Sequence, residues 1–495
     1  MDTNHLRPHI HFSAPRGWLN DPCGLVKLDG LYHLYYQHNP HANHWGPMHW
    51  GHAVSRDLFR WSNRPVALAP DPLIGMPFTG SAVVADGPEG QRLAALFTAA
   101  MPQPDGDRLE RQWLARSSDG SQWIPEAEVI PNPGLRDFRD PALAWHPGEE
   151  QWYAAVSAGD GVLLYHSQNL RDWHGPTRID LVYRDFAPQG AATDPSAAGK
   201  PPAARRVASP SIEWECPLLL SFTKSSDEWL LGIHLGRGMP VTISGAHYVT
   251  GRLEKGFFIP TDPTLMTLDA GHDCYALQAW SGTESRRIWI AWAAHYAYAD
   301  RPRTGPDWAG VLTLPREASL MPSMDCGGVV RHLISQRPAR EFRTLAARTL
   351  ISCSTTGWRY CGRDLDEGAL HIQCELGVSP PRLCITLRFG AAGSLKVTRT
   401  GTELSVDRSG LDMGDFGTAT ETRSRRHLPI SENTLGPVNL ELVCDRSIIE
   451  IFDAQGFFTS TDLIYPSSKL DGIEIETDST IVLQARLVYP TAVYR

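Results

Sequence analysis

Ser55-Arg56-Asp57-Leu58-Phe59-Arg60-Trp61 is the stretch on which the fold turns, because its pattern returns twice. Ser117-Ser118-Asp119-Gly120-Ser121-Gln122-Trp123 and Ser167-Gln168-Asn169-Leu170-Arg171-Asp172-Trp173 share the form Ser-x-(Asp/Asn)-x-x-x-Trp, with tryptophans 62 and 50 residues apart. Such a motif places a polar turn after one strand and an aromatic plug at the start of the next. A turn-plus-Trp signature repeating every ~40 to 60 residues is the mark of propeller blades. Ser-Asp turns before Trp also occur in other β-proteins; three copies at blade-like spacing favour the repeat. Gly251-Arg252-Leu253-Glu254-Lys255-Gly256-Phe257-Phe258 reads as a degenerate fourth copy.

Around these turns lie short runs rich in aromatic and β-branched residues, among them Leu31–Gln37, Leu93–Ala99, Trp152–Ser157, Trp229–Leu235 and Ile288–Ala294. They read as strands, and no long stretch shows helical periodicity. The first two-thirds of the chain is therefore expected to be all-β. From 183 to 211 the composition turns to Ala, Pro, Gly and Arg, which reads as a long surface loop inside the first domain. A second change falls near Ala339–Ala347. Beyond it, alternating segments such as Leu370–Leu376, Leu383–Phe389, Leu440–Cys444 and Ile481–Val488 suggest a β-sandwich. The domains expected are thus 1–338 and 348–495.

Composition narrows the function. The 495 residues carry a formal net charge of −9, with acids and bases mixed along the chain. That is no electrostatic footprint for nucleic acid or an anionic membrane. Nine cysteines are scattered without a Cys-x-x-Cys pair, and the N-terminus lacks the basic-then-apolar profile of a secretory signal. A cytoplasmic, reducing location is the expectation.

Three segments present a carboxylate near Pro: Trp18-Leu19-Asn20-Asp21-Pro22, Phe138-Arg139-Asp140-Pro141 and Trp214-Glu215-Cys216-Pro217. A following Pro biases an acid toward extended backbone at a strand edge. Neighbouring aromatics provide an apolar wall able to raise a carboxyl pKa. A propeller gathers its innermost strands at one funnel, so acids 119 and 75 residues apart can converge there. Such convergence suits a carboxylate-driven glycosidase, although a single Asp-Pro is most often just a turn.

These segments resemble the signature blocks of glycoside hydrolase family 32, the invertase, levanase and inulinase family. So do Tyr36-Gln37-His38-Asn39-Pro40, Trp45–Ala53, Phe78-Thr79-Gly80-Ser81, Asp273-Cys274-Tyr275-Ala276, Leu312–Glu317 and Asp445–Phe452, in the family's order over nearly the whole chain. The resemblance implies a five-bladed β-propeller followed by a β-sandwich. It implies release of terminal non-reducing β-D-fructofuranosyl units from sucrose, fructo-oligosaccharides or fructans, with net retention and without metal or organic cofactor. Asp21 would be the nucleophile, Glu215 the acid/base, and Asp140 with Arg139 the stabiliser of the oxocarbenium-like transition state. Asn20, Gln37, Trp45, Phe78 and Thr79 would hold the terminal fructose, and Tyr296 would shape an outer subsite.

Several positions depart from the family pattern. Cys23 stands where the family usually has Asn; alternation along the strand expects its side chain on Asp21's side, the other reading being that it points into the blade and packs. Leu218 replaces an Asp after the acid/base block, and Tyr296 replaces a Trp. Cys216 is expected to pack, and Asp445-Arg446-Ser447 to be structural. Nine of 19 histidines fall within the first 52 residues, but no acid or cysteine recurs among them at ligand spacing. No basic cluster near the motifs suggests a phosphate clamp. Two further functions share these features: a fructosyltransferase working through the same intermediate, and a weakly active carbohydrate-binding homologue.

Overall fold

The structure is a computed structural model that describes residues 4–183, 212–222, 228–239, 245–283, 286–299, 307–324, 330–376, 382–401, 403–414, 416, 425–429, 439–453 and 455–489. The insertion expected at 183–211 lies, beyond Tyr183, outside them.

Five antiparallel sheets form the first domain, each running outward from its first strand. The innermost strands of blades I to V are, in order, Gly17–Leu28, Met76–Val84, Phe138–His146, Trp214–Ser221 and Tyr275–Ala279. Each packs beside the next, and the fifth returns to the first, so the blades close into a ring. The closure is latched by backbone. Lys27 N–H donates to the Ser281 carbonyl and Ser281 N–H to the Leu25 carbonyl, and Trp308–Ala309 adds a parallel strand to Gly17–Trp18. Gly310 permits that latch: its φ is +96°, and a Cβ there would lie 2.0 Å from the Leu19 carbonyl oxygen.

The repeated turns occupy one place in three blades. Ser55, Ser117 and Ser167 each end a third strand, and Trp61, Trp123 and Trp173 each precede a fourth. Asp57, Asp119 and Asn169 side chains accept backbone N–H bonds from residues two ahead, as Asx turns do. The residue after each is left-handed: Leu58, Gly120 and Leu170. The fourth copy also joins third to fourth strand, through Lys255 and Gly256, both with positive φ. Between blades I and II the plug Trp123 meets Trp50 and Tyr35 at centroid distances of 6.2 and 5.8 Å.

The C-terminal domain joins ten strands through two long ones, Ala346–Cys361 and Gly472–Tyr489. Gly472–Thr477 pairs with Leu383–Arg388, whereas Val482–Val488 pairs with Ala369–Glu375, so one strand serves both halves of the sandwich. Ile473 and Ile475 from one half and Leu483 and Leu487 from the other enter a single core. Sequence reading missed Ala346–Cys361. It is largely exposed and bulged twice, so it shows neither a hydrophobic run nor clean alternation.

The block Asp445–Phe452 welds the two domains. Asp445 accepts the backbone N–H groups of His9, Ile10 and His11, while Glu450 accepts from Leu314 and pairs with Arg316.

Candidate active site

At the propeller's axis a cleft of about 1000 Å³ opens, and all ten residues singled out from the sequence line it. The local reason is a set of breaks in strand alternation. Each innermost strand loses register with its neighbour at the cleft: between Leu19 and Pro22, Pro77 and Gly80, Arg139 and Ala142, Glu215 and Leu218, and Tyr275 and Gln278. A bulge adds a residue and re-aims side chains, so consecutive residues such as Asn20-Asp21 and Phe78-Thr79 both reach the cavity. Three breaks carry a left-handed non-glycine residue: Asp140, Cys216 and Ala276, with φ of 63°, 47° and 51°. Such conformations cost about 1–3 kcal/mol each and persist only where the surroundings fix them. The extended backbone expected for an acid before Pro is therefore not what Asp140 adopts.

The surroundings do fix Asp140. Its N–H donates to Thr98 Oγ1 at 2.9 Å, Thr98 donates to Gln112 at 2.8 Å, and Gln112 Nε2 donates to the Phe138 carbonyl at 2.8 Å. Its carboxylate accepts the Cys216 backbone N–H at 3.0 Å. Cys216 does more than pack: its Sγ lies 3.5 Å from carboxylate oxygens of both Asp21 and Asp140. Burial, followed by those charges, pushes the thiol pKa well up, so it sits there protonated.

Asp21 accepts Thr79 Oγ1–H at 2.8 Å. Burial, then the charge of Glu215, pushes its carboxyl up to about 6, against hydrogen bonds from Thr79, Asn20 and Cys216 that lower it. Asn20 is itself oriented by Trp18 Nε1–H at 2.8 Å. Burial also raises Asp140 well above the carboxylate range; Arg139 opposes this, and Glu215 and Asp21 reinforce it. Glu215 is gripped from two sides. Tyr275 O–H donates to Oε2 at 2.5 Å, and Arg139 Nε and Nη2 donate to Oε1 at 3.1 and 3.0 Å.

Arg139 in turn is surrounded by acids that sequence reading missed. Its guanidinium contacts Glu213, Asp137 at 2.8 Å and Glu110 at 3.2 Å. Glu213 precedes Glu215 by two residues, a signal available in the sequence; Glu110 has none, since only the fold brings it behind Arg139. Tyr275 lies in the Asp273–Ala276 block, and only the fold brings its hydroxyl to Glu215.

The remaining residues build the walls. Gln37 is buried and donates to the Pro77 carbonyl at 3.2 Å. Trp45 and Phe78 meet edge to face at 6.1 Å at the rim, where the Arg108 guanidinium lies 4.8 Å from the Trp45 ring centroid. Tyr296 stands opposite, 6.1 Å from Tyr275, with its hydroxyl 3.4 Å from Arg237. Folding does assemble arginines that looked scattered, but acids come with them: Arg136 with Asp107, Arg178 with Asp160, and Arg237 with Glu213.

Two departures leave the cleft altogether. Leu218 is buried in the apolar core between blades IV and V. Cys23 is fully buried among Val26, Tyr35, Trp50 and Phe97. The alternation argument fails for Cys23 because register breaks flank Pro22-Cys23 on both sides.

Comparison with known proteins shows the family. The profile described as "Glycosyl hydrolases family 32 N-terminal domain" matches residues 11–187 and 197–329, and that described as "Glycosyl hydrolases family 32 C terminal" matches 370–488. The chain belongs to glycosyl hydrolase family 32. This family 32 chain is 33% identical to a levanase of Bacillus subtilis (strain 168), over 95% of its own length and 68% of the levanase. It is 33% identical to a raffinose invertase of Escherichia coli, covering 94% and 90% of the two chains. Among solved structures, an exo-inulinase from Aspergillus awamori superposes with a TM-score of 0.78 at 25% identity, covering 98% and 99%. A fructofuranosidase from Schwanniomyces occidentalis complexed with fructose shares the fold, with a TM-score of 0.80 at 23% identity over 99% and 100%.

Proposed function

We propose that this family 32 glycosidase releases terminal non-reducing β-D-fructofuranosyl units from sucrose, fructo-oligosaccharides or fructans by two displacements at one carbon. The names of its relatives, levanase, exo-inulinase and raffinose invertase, support that substrate class. The observation that carries the reading is the convergence of Asp21, Asp140 and Glu215, from three innermost strands, on one cleft with separate hydrogen-bonding environments.

Asp21 attacks the anomeric C2 while Glu215 gives its proton to the leaving glycosidic oxygen, forming a fructosyl ester on Asp21. Glu215, now a carboxylate, takes a proton from water; the water oxygen bonds C2, and the ester breaks to return Asp21 as a carboxylate. Thr79 holds Asp21 in line. Asp140, with Arg139 beside it, hydrogen-bonds the fructose hydroxyls and stabilises the oxocarbenium-like transition state.

Trapping tests these roles. In Glu215→Gln, a β-fructofuranoside with an activated leaving group is expected to fructosylate Asp21 faster than water removes it. Intact mass should then show one added fructosyl group, mapped to the peptide containing Asp21. Asp21→Asn should show none. An adduct elsewhere, or a Glu215→Gln variant with near wild-type turnover of sucrose, would remove the assignment. Initial rates on sucrose, kestose, inulin and levan rank the natural substrates.

A further inference from the structure

The sandwich reaches the active site through one carboxylate. Asp269–Asp273, which leads into the innermost strand of blade V, is docked along the sandwich strand Thr459–Leu463. Ala270 and Asp273 donate their N–H groups to the carbonyls of Thr459 and Thr461, at 2.8 and 3.0 Å. Gly271 passes so close that a Cβ would lie 2.1 Å from the Thr461 oxygen. Asp269 reinforces the dock, accepting the Thr461 N–H at 3.0 Å and its hydroxyl at 2.7 Å.

Asp273 is fully buried, and both of its carboxylate oxygens are used. Oδ2 accepts from the sandwich: the Leu463 N–H at 2.8 Å and Arg408 Nη1 at 3.3 Å. Arg408 is itself wholly buried, donates to the Leu463 carbonyl at 2.6 Å and lies 2.7 Å from His272 Nδ1 through Nη2. Oδ1 accepts the hydroxyl of Tyr298. Tyr298 ends the short 3₁₀ turn Tyr296–Tyr298, and its ring meets Phe416 of the sandwich edge to face at 5.1 Å.

Both chain segments that meet at this carboxylate reach the cleft two residues away, Tyr275 after Asp273 and Tyr296 before Tyr298. Asp273 leads to Tyr275, whose hydroxyl holds Glu215 at 2.5 Å. Tyr298 fixes the turn that presents Tyr296 to the cavity, 6.1 Å from Tyr275. Asp21, Thr79 and Asp140 hang on blades I to III, away from this connection.

We propose that Arg408 and Tyr298, acting through Asp273, are positioning residues for Glu215 and Tyr296, so that the sandwich sets the geometry of proton transfer to the leaving group. The proposal rests on reading Glu215 as the acid/base. It separates two halves of the site: loosening Asp273 weakens protonation of the leaving oxygen but leaves nucleophilic attack by Asp21 intact. A substrate that needs no protonation should therefore escape the defect.

The test uses the full chain, with Arg408→Lys and Tyr298→Phe assayed on sucrose and on an aryl β-fructofuranoside with an activated leaving group. Tyr298→Phe keeps the ring against Phe416 and removes only the hydroxyl, so it carries the test if Arg408→Lys fails to fold. On sucrose kcat is expected to fall on the order of tenfold, and on the aryl fructoside no more than about threefold, the scale of impaired general acid catalysis. Equal losses on both substrates, or wild-type rates on both, overturn the proposal. Glu215→Gln, measured alongside, should show the same asymmetry more strongly. If its losses are equal on both substrates, the acid/base assignment falls, and this proposal with it. If Glu215→Gln is asymmetric and the other variants are not, only the positioning role falls.

Discussion

Thr79 Oγ1 donates a hydrogen bond of 2.8 Å to Asp21 Oδ2, so the neighbouring innermost strand holds the proposed nucleophile. Burial and Glu215 push the Asp21 carboxyl up, and this bond is the first of the effects that pull it down. Removing it raises the pKa further and leaves the carboxylate free to swing. Thr79→Val, nearly isosteric, is expected to lower kcat/KM on sucrose by about tenfold, the scale of a hydrogen bond to a charged group. The acid limb of the pH–rate profile should move to higher pH. A limb that stays in place would remove Thr79 from control of Asp21.

The raised pKa of Asp21 also makes a statement about stability. Its carboxyl titrates near about 6 in the folded protein against 3.8 ordinarily, so the folded state binds the proton more tightly than the unfolded chain. Stability therefore falls as pH rises from about 4 to 6, and above 6 the penalty is complete, amounting to about 3 kcal/mol. Asp21→Asn removes that penalty. Urea unfolding should find the inactive variant more stable than wild type at pH 7, with the difference shrinking toward zero below pH 4.

The interdomain weld predicts a second fall in stability, at higher pH. Burial alone would lower the His11 imidazole, but hydrogen bonds to Asp445 at 2.8 Å and Glu450 at 3.2 Å outweigh it and carry the pKa to about 9. The folded state thus holds a proton that the unfolded chain releases near 6.5. This contribution is fully present below pH 6.5 and is lost as pH rises through 9. Wild type should lose melting temperature across that window. His11→Asn should be less stable at pH 6 and show a flatter dependence between 6.5 and 9.

The sequence carried the chemistry of this site better than its support. Asp21, Asp140 and Glu215 stand in short motifs with Pro and aromatics, so residue type and neighbours are enough to single them out. The turns before Trp61, Trp123 and Trp173 are local structures too, set by one acceptor side chain and one left-handed residue. Glu110 and Arg408 are different. Each matters only for the partner that folding brings to it, Arg139 from the next blade or Asp273 from the other domain, and nothing in their own neighbourhoods announces that. The bulges are illegible for a related reason. They are mismatches between two strands, and a period-2 reading of one strand cannot contain them.

Cys23 is where that limit changes a prediction. Counting two residues from Asp21 puts its side chain at the cleft, and Cys23→Asn would then alter catalysis while sparing the fold. Instead the thiol is enclosed between blades I and II by Tyr35, Trp50 and Phe97, with Gln37 Nε2 at 3.9 Å from Sγ. An amide placed there is larger and brings two donors and an acceptor into an apolar setting. Its oxygen can accept the Gln37 N–H that now points at Sγ, beside the 3.2 Å bond from Gln37 to the Pro77 carbonyl, but only by crowding that side chain. The NH₂ group faces aromatic rings. Cys23→Asn is accordingly expected to cost about 1–3 kcal/mol of stability, the penalty for a buried polar group without a full set of partners. Cys23→Ala leaves a small void and should cost less. Because Gln37 lines the cleft, any kinetic effect of Cys23→Asn should appear in KM through that side chain, with kcat preserved. Thermal melts and Michaelis parameters on sucrose check both halves, and a stable Cys23→Asn with altered kcat would return the residue to the active site.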